Sequence, residues 1–357
     1  MDISFDFQEK VLKTERNTEI IEVVLLDHDP KGGYSRWVGV AATSIFQNTK
    51  NRVNINILCD STLTDDNRSR FIRTAEHFGQ SVSFVNASEQ FLRISAALNK
   101  TLLHQSIGSI YRLLIPDLLN IPKVIYMDSD IVVNLDIAEL WNIPIENHSL
   151  AAVKSSLYTY PNTIRVKIIE WVLRCTSEDS FNSGVMLMNL SRIKQEYHDL
   201  VLEIPRFFKR YSCLYLDAAL EDMFLNYYFS RDAISLDERF NRWMPDSTID
   251  NSILHYIADK PWYNPQCSLR NALFWEIYAS SEWGDIPVDE PIAQPTRGIY
   301  INWQNLKLAL PHLPVRYRVK HVALYILHIL RYIPPLLKEV CSRVVERFMS
   351  WLHVKSL

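Results

Sequence analysis

Short apolar runs alternate with segments of helical character over the first 130 residues. Residues 21–26 (IEVVLL) form a β-branched run that stops at Asp27, which predicts a buried strand followed by a loop. Residues 38–46 fit a helix, residues 53–58 a second strand and residues 67–78 a second helix. This alternation is typical of βαβ units, so we predict an α/β fold with a single, mostly parallel mixed sheet flanked by helices.

Two further strands follow in this first part of the chain. Residues 81–84 fit a third strand, and the apolar run at 124–127 (VIYM) leads directly into Asp-Ser-Asp at 128–130. Ligands of such sheets bind at the carboxyl ends of the strands. Because Asp27 and Asp128 both follow a predicted strand, we expect both side chains to point toward the same crevice.

The Asp-Ser-Asp sequence is the sharpest local signal of chemistry. Asp128 and Asp130 place two carboxylates where a buried strand ends, and oxygen ligands of this kind suit Mg²⁺ or Mn²⁺ that bridges to phosphates. The alternative is an exposed turn in which two aspartates only cap the backbone. The long apolar run before the pair favours the metal site.

His255, in the segment ILHYIADKPW at 253–262, is a second signal. A neutral imidazole can complete a metal site that already has two carboxylates. Lys260 lies five residues further on and can neutralise a phosphate. A single histidine is more often a structural or surface residue, and the residues alone leave this alternative open.

Three other segments carry polar groups of interest. In SFNSGVMLMNL, at 180–190, the triplet 182–184 predicts a tight turn that leads into an apolar strand. Glu221 and Asp222 are adjacent in a predicted helix, so at most one is expected to face a site. Arg112 lies in an apolar segment, where a buried cation needs an anionic partner, either a carboxylate or a phosphate.

Together these motifs resemble glycosyltransferase family eight, whose retaining enzymes include bacterial lipopolysaccharide galactosyl- and glucosyltransferases and glycogenin. The resemblance covers residues 21–275, with the motifs in the family's order, and implies a GT-A type nucleotide-diphospho-sugar transferase fold. The segments that carry it are VAATSI (40–45), IYRLLIPDLL (110–119), YMDSDIVV (126–133), FNSGVMLMNL (181–190), LEDMFLN (220–226), ERFNRWMP (238–245) and HYIADKPW (255–262).

The resemblance also implies a role for each candidate residue. Asp128, Asp130 and His255 would hold Mn²⁺, with Mg²⁺ as the alternative, and this metal would neutralise the diphosphate of a UDP-sugar that Lys260 also contacts. The other donor-binding residues would be Asp27 and Asp29 near the uridine, Ser129 within the Asp-Ser-Asp sequence, and Arg112, Asp128, Asn182 and Glu221 around the donor sugar.

Departures from the family's pattern affect these expectations. HYIADKPW lacks a glycine and is one residue shorter, and the first loop, DHDPKGGY (27–34), is longer than usual. Glu221 and Asp222 stand where the family has Asp-Gln, so Arg112, Asn182 and both carboxylates are the candidate catalytic residues.

The family retains anomeric configuration, by same-face attack or through a covalent intermediate. Asp222 is the candidate nucleophile for the covalent route, and the alternative is that it only binds sugar hydroxyls.

The predicted function is a metal-dependent retaining hexosyltransferase. It would move galactose or glucose from a UDP-sugar to a glycan or glycolipid acceptor, such as lipopolysaccharide or another cell-surface polysaccharide. One alternative is an inactive UDP-sugar-binding or scaffolding relative, because the His255 loop is altered and Met223 stands where the family's Asp-Gln-Asp motif has its second Asp. Another is a haloacid-dehalogenase-type phosphatase, whose nucleophilic aspartate would end the first strand.

Charge argues against one class of partner and suggests another. The net charge of −3 gives no basis for binding nucleic acid. Residues 315–357 carry a net charge of +6, and the rest of the chain carries −9. We therefore predict an N-terminal extension at 1–19, a catalytic domain at 20–312 and a basic amphipathic helical tail at 313–357. Such a tail is typical of docking on an anionic membrane, and the alternatives are packing on the body or an oligomer contact.

Cysteine usage and the first residues bear on the compartment. The five cysteines are dispersed without a CxxC pair, which argues against a disulfide framework and a cysteine zinc site. The first 16 residues are too charged for a signal peptide, and no uncharged run reaches membrane-spanning length. These features predict a cytoplasmic protein that is peripheral on the inner face of the cell membrane.

Overall fold

Strands and helices alternate along the part of the chain that the structure describes. This computed structural model describes residues 19–95, 107–154, 176, 179–211, 220–243, 249–257, 260–262 and 268–288. The strands are β1 (Ile21–Asp27), β2 (Val53–Cys59), β3 (Ser81–Asn86), β4 (Lys123–Met127), β5 (Ile131–Asn134), β6 (Leu150–Lys154), β7 (Phe181–Asn189), β8 (Ala233–Leu236) and β9 (Ser252–His255). The helices are α1 (Ser35–Asn48), α2 (Asp65–His77), α3 (Ser88–Ser95), α4 (Ile107–Tyr111), α5 (Ile115–Leu118), α6 (Ala138–Trp141), α7 (Leu190–Glu196), α8 (Leu200–Tyr211), α9 (Leu220–Phe229) and α10 (Leu269–Ser280).

The main sheet has seven strands in the order β3-β2-β1-β4-β7-β6-β8. Strands β3, β2, β1 and β4 run parallel, β7 is antiparallel to both of its neighbours, and β6 pairs in parallel with β8. The prediction of an α/β fold with a mostly parallel mixed sheet flanked by helices is confirmed. The order also places the carboxyl ends of β1 and β4 side by side.

Both faces of the central strands are buried. In β1, Val23 and Leu25 belong to one buried apolar cluster, which also contains residues of α1 and α10. Val24 and Leu26 belong to a second cluster, which contains residues of the segment 110–115 and of α7, α8 and α9. Burying each of these side chains contributes roughly 1.5–3 kcal/mol. Because helices cover both faces, the strand is a continuous apolar run instead of an alternating one.

A small second sheet, which the sequence did not predict, pairs β5 with β9 in antiparallel fashion. Ile131 lies opposite His255 in this ribbon, and the N–H of Tyr256 donates to the carbonyl of Asp130 at 2.9 Å. Because β5 directly follows Asp-Ser-Asp, the ribbon carries His255 to the end of β4 across more than 120 residues of sequence.

The predicted tight turn at 182–184 is wrong, since these residues belong to β7. Met127 pairs with Val185, and the N–H of Asp128 donates to the carbonyl of Gly184 at 2.8 Å. The antiparallel ladder therefore continues past the end of β4. Pairing with a neighbouring strand outweighs the turn preference of Asn, Ser and Gly, which is a local property.

Most of the predicted N-terminal extension and the whole predicted tail lie outside the described residues. Of residues 1–19 the structure describes Glu19 alone, and the whole of 313–357 lies outside the described residues. The two domain boundaries therefore stay predictions. Within the ranges that are described, no helix combines the length and the apolar character needed to cross a bilayer.

Candidate functional site

A cleft of about 370 Å³ lies at the carboxyl ends of β1 and β4. This is the edge where ligands of α/β sheets bind. The residues that line it are Leu26, His28, Asp29, Pro30, Lys31, Tyr34, Gly108, Ser109, Arg112, Tyr126, Asp128, Ser129 and Asp130. The lining therefore includes both aspartates of the Asp-Ser-Asp sequence and the arginine singled out from the sequence.

Asp128, Asp130 and His255 form a cluster that could hold a metal ion, with one ligand atom of each within 4.8 Å of the others. His255 Nε2 is 3.6 Å from Asp128 Oδ2 and 3.2 Å from Asp130 Oδ1. Two ligands at right angles and about 2.1 Å from one ion are about 3.0 Å apart, so these separations fit a shared cation. Two carboxylates and an imidazole suit Mn²⁺ or Mg²⁺.

Burial sets the charge state of the two basic groups at this cluster. It lowers the pKa of His255 to about 4, although Asp128 opposes the shift, so the imidazole is neutral near pH 7 and keeps a lone pair for a metal. Burial also lowers the pKa of Lys260 to about 8, which leaves the ammonium mostly charged. Lys260 Nζ contacts Asp130 Oδ2, so a positive charge lies beside the cluster.

Arg112 is a buried cation whose anionic partner is a carboxylate. Its Nη2 lies 2.9 Å from Asp128 Oδ1, and its Nη1 donates to Ser183 Oγ at 2.6 Å. The hydroxyl of Tyr126 also donates to Asp128 Oδ1. Burial pushes the pKa of Asp128 up, but the charge of Arg112, with help from the Tyr126 hydrogen bond, outweighs it, and the net pKa falls below its usual range. Arg112 and Asp128 are therefore both ionised and form an ion pair.

Glu221 and Asp222, in the first turn of α9, both interact with Arg112. Asp222 Oδ1 is 4.0 Å from Arg112 Nη1 and accepts a hydrogen bond from Ser183 Oγ. Burial raises the pKa of both carboxyls, and Arg112 opposes the rise at each. Neither residue is part of the cleft lining, so the expectation that at most one of them faces the site stays a prediction. Consecutive residues are about 100° apart on a helix, so two carboxylates can still flank one guanidinium.

The two aspartates of the first loop have different environments. Asp27 is fully buried and is not part of the cleft lining, and burial raises its pKa to about 7. Asp29 lines the cleft, but its Oδ2 accepts hydrogen bonds from the N–H groups of Gly33 and Tyr34, both at 2.7 Å. It therefore stabilises the loop that leads into α1.

Asp27→Asn should remove a pH-dependent cost of folding. The carboxyl has a pKa of about 7 in the folded protein and an ordinary value of 3.8, so the folded state binds the proton more tightly and stability falls as pH rises through this window. The variant's free energy of unfolding, minus that of wild type, should grow by roughly 2–3 kcal/mol from pH 5 to pH 8. Urea unfolding measures it, and a pH-independent difference would contradict the expectation.

Several site residues were missed in the sequence. Ser183 and Asn241 lie within the quoted segments FNSGVMLMNL and ERFNRWMP, yet neither residue type signals chemistry by itself. The carboxylate of Asp60 accepts from Tyr111 Oη at 2.6 Å and lies 2.6 Å from Nδ1 of His28, which lines the cleft. These three residues come from separate segments, so their grouping has no sequence signature.

The chain matches the family model for glycosyl transferase family 8 over residues 30–265. A glycosyltransferase-like protein of Haemophilus influenzae is 30% identical over 164 residues, covering 46% of this chain and 47% of its own length. Glycosyltransferase GlyF of Streptococcus pneumoniae is 26% identical over 227 residues, covering 58% and 51%. The chain thus spans about half the length of these relatives.

Solved structures agree with the fold. The galactosyltransferase LgtC, in complex with donor and acceptor sugar analogues, superposes with a TM-score of 0.60 at 20% identity, over 73% of this chain and 96% of that one. Glycosyltransferase GlyE of Streptococcus pneumoniae gives 0.52 at 19% identity, over 73% and 61%. The phosphatase alternative needed a reactive aspartate at the end of the first strand, but the aspartate in that place, Asp27, is fully buried and does not line the cleft. The chain therefore has a GT-A fold and belongs to glycosyl transferase family 8.

Proposed function

We propose that this chain is a divalent-metal-dependent hexosyltransferase that moves galactose or glucose from a UDP-sugar to a glycan or glycolipid acceptor. The observation that carries the proposal is the convergence of Asp128, Asp130 and His255 at the cleft, with Lys260 and Arg112 beside them. Two carboxylates with an adjacent ammonium suit a ligand that brings both a cation and phosphate oxygens. The donor and acceptor analogues bound to LgtC support the same ligand class.

The departing diphosphate sets the charge problem that this site would solve. A bound divalent cation would act as a Lewis acid on the phosphate oxygens, where negative charge develops as the sugar leaves. Asp128, Asp130 and His255 would hold that cation, and Lys260 would add a second positive charge next to them. With this arrangement, no side chain has to donate a proton to the leaving group.

The sugar would lie on the other side of the cluster, near Arg112. Arg112 holds Asp128 and Ser183, and it lies within electrostatic reach of Glu221 and Asp222. This arrangement supports contacts from these groups, and from Asn182, to the hydroxyls of the donor sugar. Asp222 stays the candidate nucleophile if configuration is retained through a covalent intermediate.

Donor turnover tests the proposal. Purified protein with Mn²⁺ should release UDP from UDP-galactose or UDP-glucose, whereas a GDP-sugar control should release no GDP. EDTA should stop the release and added Mn²⁺ should restore it, because the two aspartates cannot neutralise a diphosphate without a cation. Metal-dependent binding of UDP without turnover of any donor, even with glycan acceptors present, would contradict the enzyme and favour an inactive relative.

We extend the proposal to the membrane and its lipid-linked glycans. The support for this part comes from the sequence. The net charge of +6 over residues 315–357 would draw the tail to an anionic surface, such as the inner face of the cell membrane. When the donor assay contains anionic vesicles, the full chain should cosediment with them at low salt and dissociate at high salt. A full chain that stays in the supernatant at low salt would contradict membrane docking.

A further inference from the structure

We propose that Asn241 is a positioning residue, which fixes the tautomer of His255 and ties the metal cluster to Asn182. Asn241 is fully buried. Its Oδ1 lies 2.8 Å from His255 Nδ1, and its Nδ2 donates to Asn182 Oδ1 at 2.7 Å. The inference about Asn182 rests on the proposed function, whereas the inference about His255 concerns metal binding alone.

The backbone brings Asn241 to His255. Arg242 forms an isolated bridge with Leu254, in which the N–H of Arg242 donates to the carbonyl of Ile253 and the N–H of His255 donates to the carbonyl of Arg242, both at 2.8 Å. Arg270 Nη2 donates to the carbonyls of Arg242 and His255 at 3.1 and 3.0 Å. Asn241 therefore sits on a segment that is hydrogen-bonded to β9 directly at the histidine.

Hydrogen bonds link Gly184, Asn182, Asn241 and His255 in a chain, which we call the relay. The backbone N–H of Gly184 determines which group donates at each step of it. The N–H of Gly184 donates to the side chain of Asn182 at 2.9 Å, and because an amide N–H can only donate, the atom it meets must be the carbonyl oxygen Oδ1. Asn241 must then present its NH₂ group to the same oxygen. Its own Oδ1 is thereby turned to His255, so Nδ1 has to carry the proton.

This tautomer leaves the other ring nitrogen, Nε2, without a proton. With the proton on Nδ1, the lone pair of Nε2 points toward Asp130 and Asp128, which lie 3.2 and 3.6 Å away. The ring lies directly against Gly184, where a methyl group would overlap it, so the glycine provides the room for this ring position. Partners that fix the tautomer of a ligating histidine typically contribute 10–100-fold to metal affinity.

The same relay orients Asn182. Its Oδ1 accepts from both Gly184 and Asn241, so the amide NH₂ is the group left to meet a ligand. Asn182 would then act toward the donor sugar as a hydrogen-bond donor. A substitution at Asn241 should therefore affect metal binding through His255 and sugar turnover through Asn182, and the two effects can be separated.

The test compares Asn241→Leu with Asn241→Asp. In Asn241→Leu, His255 loses its acceptor, and titration with Mn²⁺, followed by EPR of the free ion, should show binding weakened by about 10–100-fold. Asn241→Asp still accepts the proton of Nδ1, so its Mn²⁺ affinity should stay within about threefold of wild type. It no longer donates to Asn182, so donor turnover should fall by at least about tenfold.

Asn134→Leu is the matched control, because Asn134 lies in the same ribbon and its Nδ2 donates to the backbone carbonyl of Ile249, at 2.8 Å, and not to a metal-site residue. It should bind Mn²⁺ like wild type. Unchanged Mn²⁺ affinity in Asn241→Leu, equal losses in Asn134→Leu, or no Mn²⁺ binding by wild type would overturn the proposal. Full turnover in Asn241→Asp would overturn the link to Asn182. Mn²⁺ binding by wild type without any donor turnover would contradict the proposed function alone.

Discussion

Asp130→Asn should lower UDP release from the donor by about 10³-fold or more, since a bound metal supplies several kcal/mol of transition-state stabilisation. The amide is nearly the same size but is neutral and a poorer ligand. It also removes the charge that Lys260 contacts, so the ammonium next to the phosphates loses its anchor. Initial rates at saturating Mn²⁺, together with the Mn²⁺ dissociation constant, measure both effects.

The control for this substitution is Asp117→Asn, which makes the same chemical change at an exposed position on α5. Its turnover should stay within about twofold of wild type, as expected for a surface substitution. If Asp130→Asn kept more than a tenth of wild-type turnover at saturating Mn²⁺, Asp130 would not be a required ligand, contrary to the proposal.

Arg112→Met should cost about 3–5 kcal/mol of folding stability, because it leaves buried carboxylates without their cation. Asp128 loses its closest ion pair, and the pKa values of Glu221 and Asp222, already raised by burial, should rise further. A group whose folded-state pKa is raised loses stability as pH increases. The variant should therefore be closer to wild type at pH 5 than at pH 8.

Urea unfolding of Arg112→Met at both pH values measures the loss, and donor turnover should disappear with it. Arg206→Met is the matched control, because Arg206 is paired with Glu203 on α8 and its side chain is 71% exposed. An exposed pair of this kind contributes at most about 1 kcal/mol. A loss of that small size for Arg112→Met would show that Arg112 does not neutralise the buried carboxylates.

Much of the architecture can be predicted from the chain itself. The run at 21–26 ends as β1 does, within one residue, and the predicted second strand and first two helices are all present in the structure. Strands covered on both faces must be continuously apolar, so they stand out in a sequence. The Asp-Ser-Asp sequence is equally visible, because a carboxylate pair is unusual directly after such a run.

The grouping of residues at the site could not be predicted from the sequence. His255 reaches Asp128 and Asp130 only through the pairing of β5 with β9, and each of those strands is only four residues long. The triplet 182–184 has the composition of a turn, yet it is a strand because its backbone partners come from β4 and the residue after it. Local patterns report backbone preference and burial, and they do not report which distant segment supplies a partner.

The sequence by itself determined the α/β class, the order of the first strands and helices, and the types of residue that could hold a metal and a diphosphate. Only the tertiary structure decided that Asp27 is buried away from the cleft, that Glu221 and Asp222 both interact with Arg112, and that Asn241 holds His255. The physical reason is that hydrogen bonds, ion pairs and desolvation depend on distances of a few ångströms between residues far apart in the chain, and these distances exist only after the sheet has formed.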